Sequence, residues 1–176
     1  VRWVPAGRFV MGSPSDEAQR DKDEVQHEVV FTRGFFMAET ECTQAQWEAV
    51  KPHNPSHGKA PDQPVNQVSW LDAQDYCRAL TRRHREAGLI PDGWEWDLPT
   101  EAQWEYAMRG GSTHHFHWGP NAQDGINTFI RLPGEGQQIP PAPDGKTMPV
   151  ESFQPNPFGL HDTQGNLTEW CADWYQ

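Results

Sequence analysis

The sequence predicts a loop-rich α+β domain, and three observations carry that prediction. Strand-type patterns fill the stretch before Thr43, three later stretches each open on a helix-capping signature, and periodicity vanishes from Ser112 to Gln164. With 16 prolines and 15 glycines, such a domain holds its shape through ordered loops as much as through regular elements. A chain of 176 residues is one domain in length and can bury about two-thirds of its unfolded surface.

In chain order, "RWVPAGRFVMGS" places Trp3, Phe9 and Met11 around Pro5-Ala6-Gly7 and reads as a short hairpin. "HEVVFTRGFFMAETE" continues as strands, Val29 to Phe31 and Phe35 to Met37, punctuated by Gly34. "TQAQWEAV" opens a helix with a capping box, in which Thr43 caps the amide three residues on and Gln46 reaches back. Pro52 limits that helix. "SWLDAQDYCRALTRRHREAG" starts at Ser69 as N-cap with Asp72 in its first turn. Leu71, Cys77 and Leu80 form part of an apolar face, Arg82, Arg83 and Arg85 lie near the C-terminus, and Gly88 ends the helix. "PTEAQWEYAMRGG" repeats the first pattern, with Thr100 and Gln103 as the box and Gly110-Gly111 as the stop. The matched T-x-A-Q-W-E segments read as two amphipathic helices solving one packing problem; a single recurrence does not make a solenoid.

Composition excludes several classes. The net charge of −11 argues against a nucleic-acid partner, which needs clustered Lys and Arg. No run of about 20 apolar residues exists, so the sequence has no membrane-spanning segment. Nine tryptophans rule out disorder. Cys42, Cys77 and Cys171 are odd in number and have no zinc spacing, so they read as small buried hydrophobes, with one disulfide and one free thiol as the lesser reading. No charged-then-apolar leader marks "VRWVPAG", and localisation stays open.

Loop oxygens are the candidate chemistry. Calcium takes six to eight hard oxygen ligands from irregular segments. "GNLTE" offers Asn166 and Glu169 with the carbonyls of Gly165 and Leu167, while "INT" and "PDGK" offer Asn127 and Asp144. Taken alone, N-x-x-E is a weak signal, and a plain turn residue is the default reading of Asn166. The acidic stretch from Ser15 to Glu24 reads as a solvated loop. In "HHFHW", His115 and His117 share a strand face as two metal ligands would, without a third; surface or core histidines are the plainer account. "HNPSH" (His53 to His57) is a turn. No nucleophile elbow, phosphate loop or dinucleotide fingerprint is present.

Taken together, "FVMGS", "FFMAETECTQAQWEAV", "PVNQVSWLDAQDYC", "LPTEAQWEYAMRGG", "FHWG" and "MPVESFQPNPFGLHDTQGNLTEWCADWY" resemble, in order, the formylglycine-generating enzyme (sulfatase-modifying factor) family. The resemblance runs from about Phe9 to Tyr175. It implies a C-type-lectin-like fold with low regular secondary structure and bound structural calcium. One calcium site would use Asn127 and Asp144 with the carbonyls of Thr128 and Lys146. A second would use Asn166 and Glu169 with the carbonyls of Gly165 and Leu167. Departures are Asp97, where relatives carry Arg, and His161, Thr163, Leu167 and Thr168 in the last motif.

By the same resemblance, residues 1–176 are a single domain, C-terminally incomplete and lacking the closing third that carries the copper-binding cysteine pair. Cys42, Cys77 and Cys171 do not match that pair. No catalytic residue is therefore assigned, copper is expected only where the pair exists, and a second chain or missing segment would complete the domain. The family activity is copper-dependent oxidation of a cysteine to formylglycine in a target protein. The alternative is a non-enzymatic lectin-like module binding or displaying a protein or peptide ligand.

Overall fold

The computed structural model describes residues 1–17, 20–114, 116–119 and 147–174. Strands β1 (Arg2–Val4) and β2 (Gly7–Met11) follow one another, and β3 (His27–Phe31) and β4 (Phe35–Met37) do likewise. The expected hairpin between the first two does not form. β1 pairs antiparallel with β4, Arg2 opposite Met37, and β2 with β3, Gly7 opposite Phe31. The chain runs on from β1 to β2 without reversing, and β4 and β3 supply their partners. That arrangement brings Phe9 and Phe31 onto Tyr106, with Phe31 and Tyr106 ring centroids 5.0 Å apart, and Phe35 against Phe31. Gly34 permits it, because a Cβ there would lie 2.4 Å from the Trp3 ring.

Three helices start where the capping boxes predict: α1 (Gln44–Val50) after Thr43, α2 (Trp70–Glu86) after Ser69, and α3 (Glu101–Arg109) after Thr100. In each, the cap side chain accepts from the third residue's N–H and that residue's side chain accepts from the cap N–H. Two orphan donors are thereby satisfied at once. α1 and α2 lock through stacked Trp47 and Tyr76 rings, 5.0 Å apart and 5° from parallel. The apolar face expected on α2 is only partly used, since Leu71 is 64 % exposed. The inner face is instead set by Thr81, whose hydroxyl accepts the Trp96 N–H at 2.8 Å, and by His84, which accepts the Trp96 indole N–H at 2.9 Å.

α3 ends on Gly110 in the left-handed conformation (φ 57°), where a Cβ would meet Pro157 at 2.7 Å. Its last carbonyls are capped from a distance: Asn156 donates to Ala107 O and Met108 O at 2.7 and 3.1 Å. The same side chain accepts from the Phe158 and Leu160 N–H groups. Val4, Tyr106, Ala107 and Leu160 form the central apolar cluster. From residue 147 to 174 there is no helix or strand, and up to Gln164 the aperiodic sequence predicts as much. No helix among the described residues is long and apolar enough to cross a membrane.

Candidate functional site

The loop from residue 147 to 169 returns along the segment that follows β4. The His161 N–H bonds the Glu39 carbonyl at 2.9 Å, setting residues 160–162 beside residues 39–41. Asn166 adopts φ 62° and clamps the start of the loop. Its Oδ1 accepts the Met148 N–H at 2.9 Å and its Nδ2 donates to the Met148 carbonyl at 3.2 Å. Asp162, also left-handed (φ 58°), accepts the Glu151 N–H on Oδ2 at 2.8 Å.

Three carboxyl groups under this loop are near enough to feel one another's charge. Burial above all, and then the charges of Asp162 and Glu169, push Glu41 up to about 8. The neighbouring Asn166 amide pulls the other way without closing a bond onto either Glu41 oxygen. Burial likewise lifts Glu169 to about 7, against a hydrogen bond from the Trp104 side chain, with Asp162 adding repulsion. Asp162 is raised chiefly by burial.

Of the ligands expected for the second calcium site, the structure therefore brings Asn166 and Glu169 to one region. Their donor class fits a hard cation. The expected carbonyl of Gly165 is engaged, accepting the Leu167 N–H at 2.8 Å. Glu41 and Asp162 stand in the same region and were not foreseen. The first expected calcium site, Asn127, Thr128, Asp144 and Lys146, lies outside the described residues, as does His115. The His117 ring sits 3.0 Å from the Gln164 side-chain oxygen, a protein partner and not a metal arrangement. Among the described residues, no three His, Cys, Asp or Glu side chains converge on one point.

The thiols do not fit copper. Copper(I) is held by thiolates, which form where positive charge or a helix N-terminus depresses the thiol pKa. Here burial raises all three. Cys42 is raised against a hydrogen bond from Tyr76, and Cys77 and Cys171 are each pushed up to about 11. All three are free.

All 176 residues match the Sulfatase-modifying factor enzyme 1-like domain. The chain belongs to the sulfatase-modifying factor family. It is 39 % identical over 119 residues to a formylglycine-generating enzyme of Streptomyces coelicolor, which covers 65 % of this chain and 33 % of that enzyme. It is 32 % identical over 178 residues to the chaperone protein LppX of Paenibacillus barcinonensis, covering 80 % of this chain and 62 % of LppX. The structure of PvdO from Pseudomonas aeruginosa superposes with a TM-score of 0.80 at 27 % identity, over 99 % of this chain and 70 % of PvdO. This sulfatase-modifying factor chain thus has the formylglycine-generating-enzyme-like fold and spans a third of the Streptomyces enzyme.

Proposed function

We propose that residues 1–176 are the scaffold of a sulfatase-modifying-factor domain whose complete form oxidises a cysteine of a protein or peptide substrate to formylglycine, and that this chain alone is inert. The observation that supports the second half is the state of the thiols: burial keeps Cys42, Cys77 and Cys171 protonated. A buried neutral thiol is neither a nucleophile nor a good copper ligand. The oxidising chemistry then belongs to residues outside these 176.

In the same reading, structural calcium sits at Asn166 and Glu169, with Asn127, Thr128, Asp144 and Lys146 forming the other centre. Support at Asn166 and Glu169 comes from an all-oxygen donor set on an irregular loop, which is calcium's preferred environment.

The test of inertness is incubation of the chain with copper(I), oxygen and a cysteine-bearing sulfatase-type peptide, followed by aldehyde trapping and mass spectrometry. No aldehyde above the protein-free blank is expected. Aldehyde formation overturns the proposal.

A further inference from the structure

Positive charge in this acidic chain is concentrated on the second half of α2. The sequence has 25 Asp and Glu against 14 Lys and Arg, yet Arg78, Arg82, Arg83 and Arg85 fall close together with no acid between them. Helix-end electrostatics account for Arg83 and Arg85, which lie in the last turn; Arg78 and Arg82 precede it. Three of the four guanidinium groups are engaged. Arg83 donates to Ala49 O, Arg85 to Trp94 O at 3.0 Å, and Arg78 to Asp75 and to Gln74 Oε1, the last at 3.3 Å. Arg82 is exposed and, among the described residues, bonds nothing.

Arg78, Arg82 and Arg85 are spaced four and three residues apart and share one helix face. With Thr81, Glu95 and Trp96 they line a recess of about 220 Å³. Its floor is fixed. The buried Thr81 hydroxyl donates to Trp96 O at 3.3 Å and accepts the Trp96 N–H at 2.8 Å, while His84 holds the indole. Arg85 also ties the recess to apolar surface, because the Trp94 whose carbonyl it holds belongs to a strip of exposed rings. Trp94 and Phe36 centroids lie 5.9 Å apart, and Phe36 and Trp3 4.9 Å. Trp3, Phe36 and Trp94 are 50 %, 48 % and 46 % exposed. Single exposed aromatics are ordinary on a surface, but a contiguous strip beside charged groups marks an interaction site.

We propose that the Arg82 recess and the Trp94–Phe36–Trp3 strip form one docking surface for an acidic segment of a partner protein. Asp or Glu carboxylates of that segment enter the recess and pair with Arg82, whose whole donor fork is available. An apolar or aromatic side chain beside them lies on the strip. Charge complementarity selects this occupant. Three guanidinium groups against the single acid Glu95 leave the recess positive, on a molecule whose net charge of −11 repels acids elsewhere. Glu95 opposes a dianion more than a monoanion, which favours carboxylate over phosphate. Arg and Trp are also the side chains that dominate binding energy at protein interfaces. The surface shares no residue with the loop from 147 to 169 and does not depend on the oxidase reading.

The experiment is fluorescence anisotropy of a rhodamine-labelled peptide, a run of Asp and Glu carrying one Trp, titrated with the full chain at low salt. Wild type is compared with Arg82→Glu, Trp94→Ala and Arg8→Glu. Arg8→Glu alters the net charge equally but lies outside the surface, where Arg8 pairs with Glu28 in water. A second peptide replaces every Asp and Glu by Asn and Gln. Arg82→Glu breaks no internal bond, so it decides alone should Trp94→Ala fail to fold by circular dichroism.

The expected result is saturable binding that weakens with salt. The Kd should rise about tenfold or more in Arg82→Glu and in Trp94→Ala, and no more than about threefold in Arg8→Glu. The amidated peptide should bind about tenfold or more weakly. Absence of saturable binding to wild type overturns the proposal. So does equal loss in Arg82→Glu and Arg8→Glu, which reduces the effect to overall charge. Equal binding of the amidated peptide overturns it as well, as does unchanged binding in a folded Trp94→Ala. Displacement by inorganic phosphate, where chloride of equal ionic strength does nothing, overturns it by giving the recess to a phosphate ligand.

Discussion

Two buried polar regions begin three residues apart in the sequence and are built on opposite principles. Gln44 opens one, with Asn54 and Ser56, all under 9 % exposed. Asn54 donates to Gln44 Oε1 at 3.0 Å and to Glu48 at 2.9 Å, and accepts the Ser56 N–H at 3.0 Å. Gln44 in turn donates to Gly58 O and accepts from the Ala60 N–H, while Ser56 Oγ accepts the Asn66 N–H. Glu41 opens the other region, where both of its oxygens and one of Asp162 have no donor. A closed network fixes a loop and needs nothing from outside. An open one of like charge is repulsive until a proton or a cation enters it. Burial of polar atoms therefore identifies neither structure nor function; what separates them is whether the bonds close.

The largest expected effect comes from breaking the closed region. Asn54→Ala leaves Glu48 and the Ser56 N–H without their partner and should cost about 3 kcal/mol. The melting temperature should fall roughly 6–12 °C by calorimetry; a fall of only a degree or two means that water already serves this network. Filling the open region should work in the opposite direction. Glu41→Gln in chelator at pH 8 removes a charge that burial and two carboxylates oppose, and should add on the order of 1 kcal/mol of stability, raising the melting temperature by roughly 2–4 °C. A lower value would mean that the Glu41 charge is stabilising and the comparison is wrong.

A pH series sharpens the contrast. Glu41 and Glu169 have folded values of about 8 and about 7, raised above the unfolded carboxyl range. The folded chain then binds more protons than the unfolded one, so their contribution is full below pH 4.5 and is lost as pH rises towards 8. Without cations, melting temperature should fall across that window, and the fall should shrink in Glu41→Gln and in saturating calcium. An identical slope in both proteins would assign the titration to other groups. The smallest effect is a control: Arg8→Ala removes the exposed Arg8–Glu28 pair on β2 and β3 and should change stability by less than about 1 kcal/mol.

Local chemistry made much of this fold legible. Thr43, Ser69 and Thr100 each announce a helix, because a capping box is written within four consecutive residues. Gly110 announces an end for the same reason. The β1–β4 and β2–β3 pairings escaped because adjacency favours a hairpin, and only the later need to bring Phe9 and Phe31 onto Tyr106 decides against it. Leu71 misled because one apolar residue in a first turn does not show which side of the helix will be covered. At the site, Asn166 and Glu169 were readable as oxygen donors in one short motif. Glu41 and Asp162 were not, since each is a lone acid in its own stretch and the contact joins opposite ends of the chain. The available signal was weak: an acidic residue just past a strand in "ETEC", and another in a glycine-bounded turn in "GLHDTQG".

The final described residues fasten both longer helices at their starting points. Trp70 at the start of α2 donates its indole N–H to Cys171 O at 2.8 Å, and Trp170 donates back to Val68 O at 3.1 Å. The Ala172 N–H reaches Pro99 O, and Asp173 accepts the Glu101 N–H, both at 2.8 Å and both at the entrance to α3. Each helix can nucleate from its own capping box, but their mutual placement waits for a strap some 70 to 100 residues downstream. During synthesis at about 5–20 residues per second, α2 and α3 leave the ribosome seconds before the strap that aligns them. For that interval the nascent chain holds finished helices in an unfinished arrangement, with Trp70 exposed to whatever meets it first.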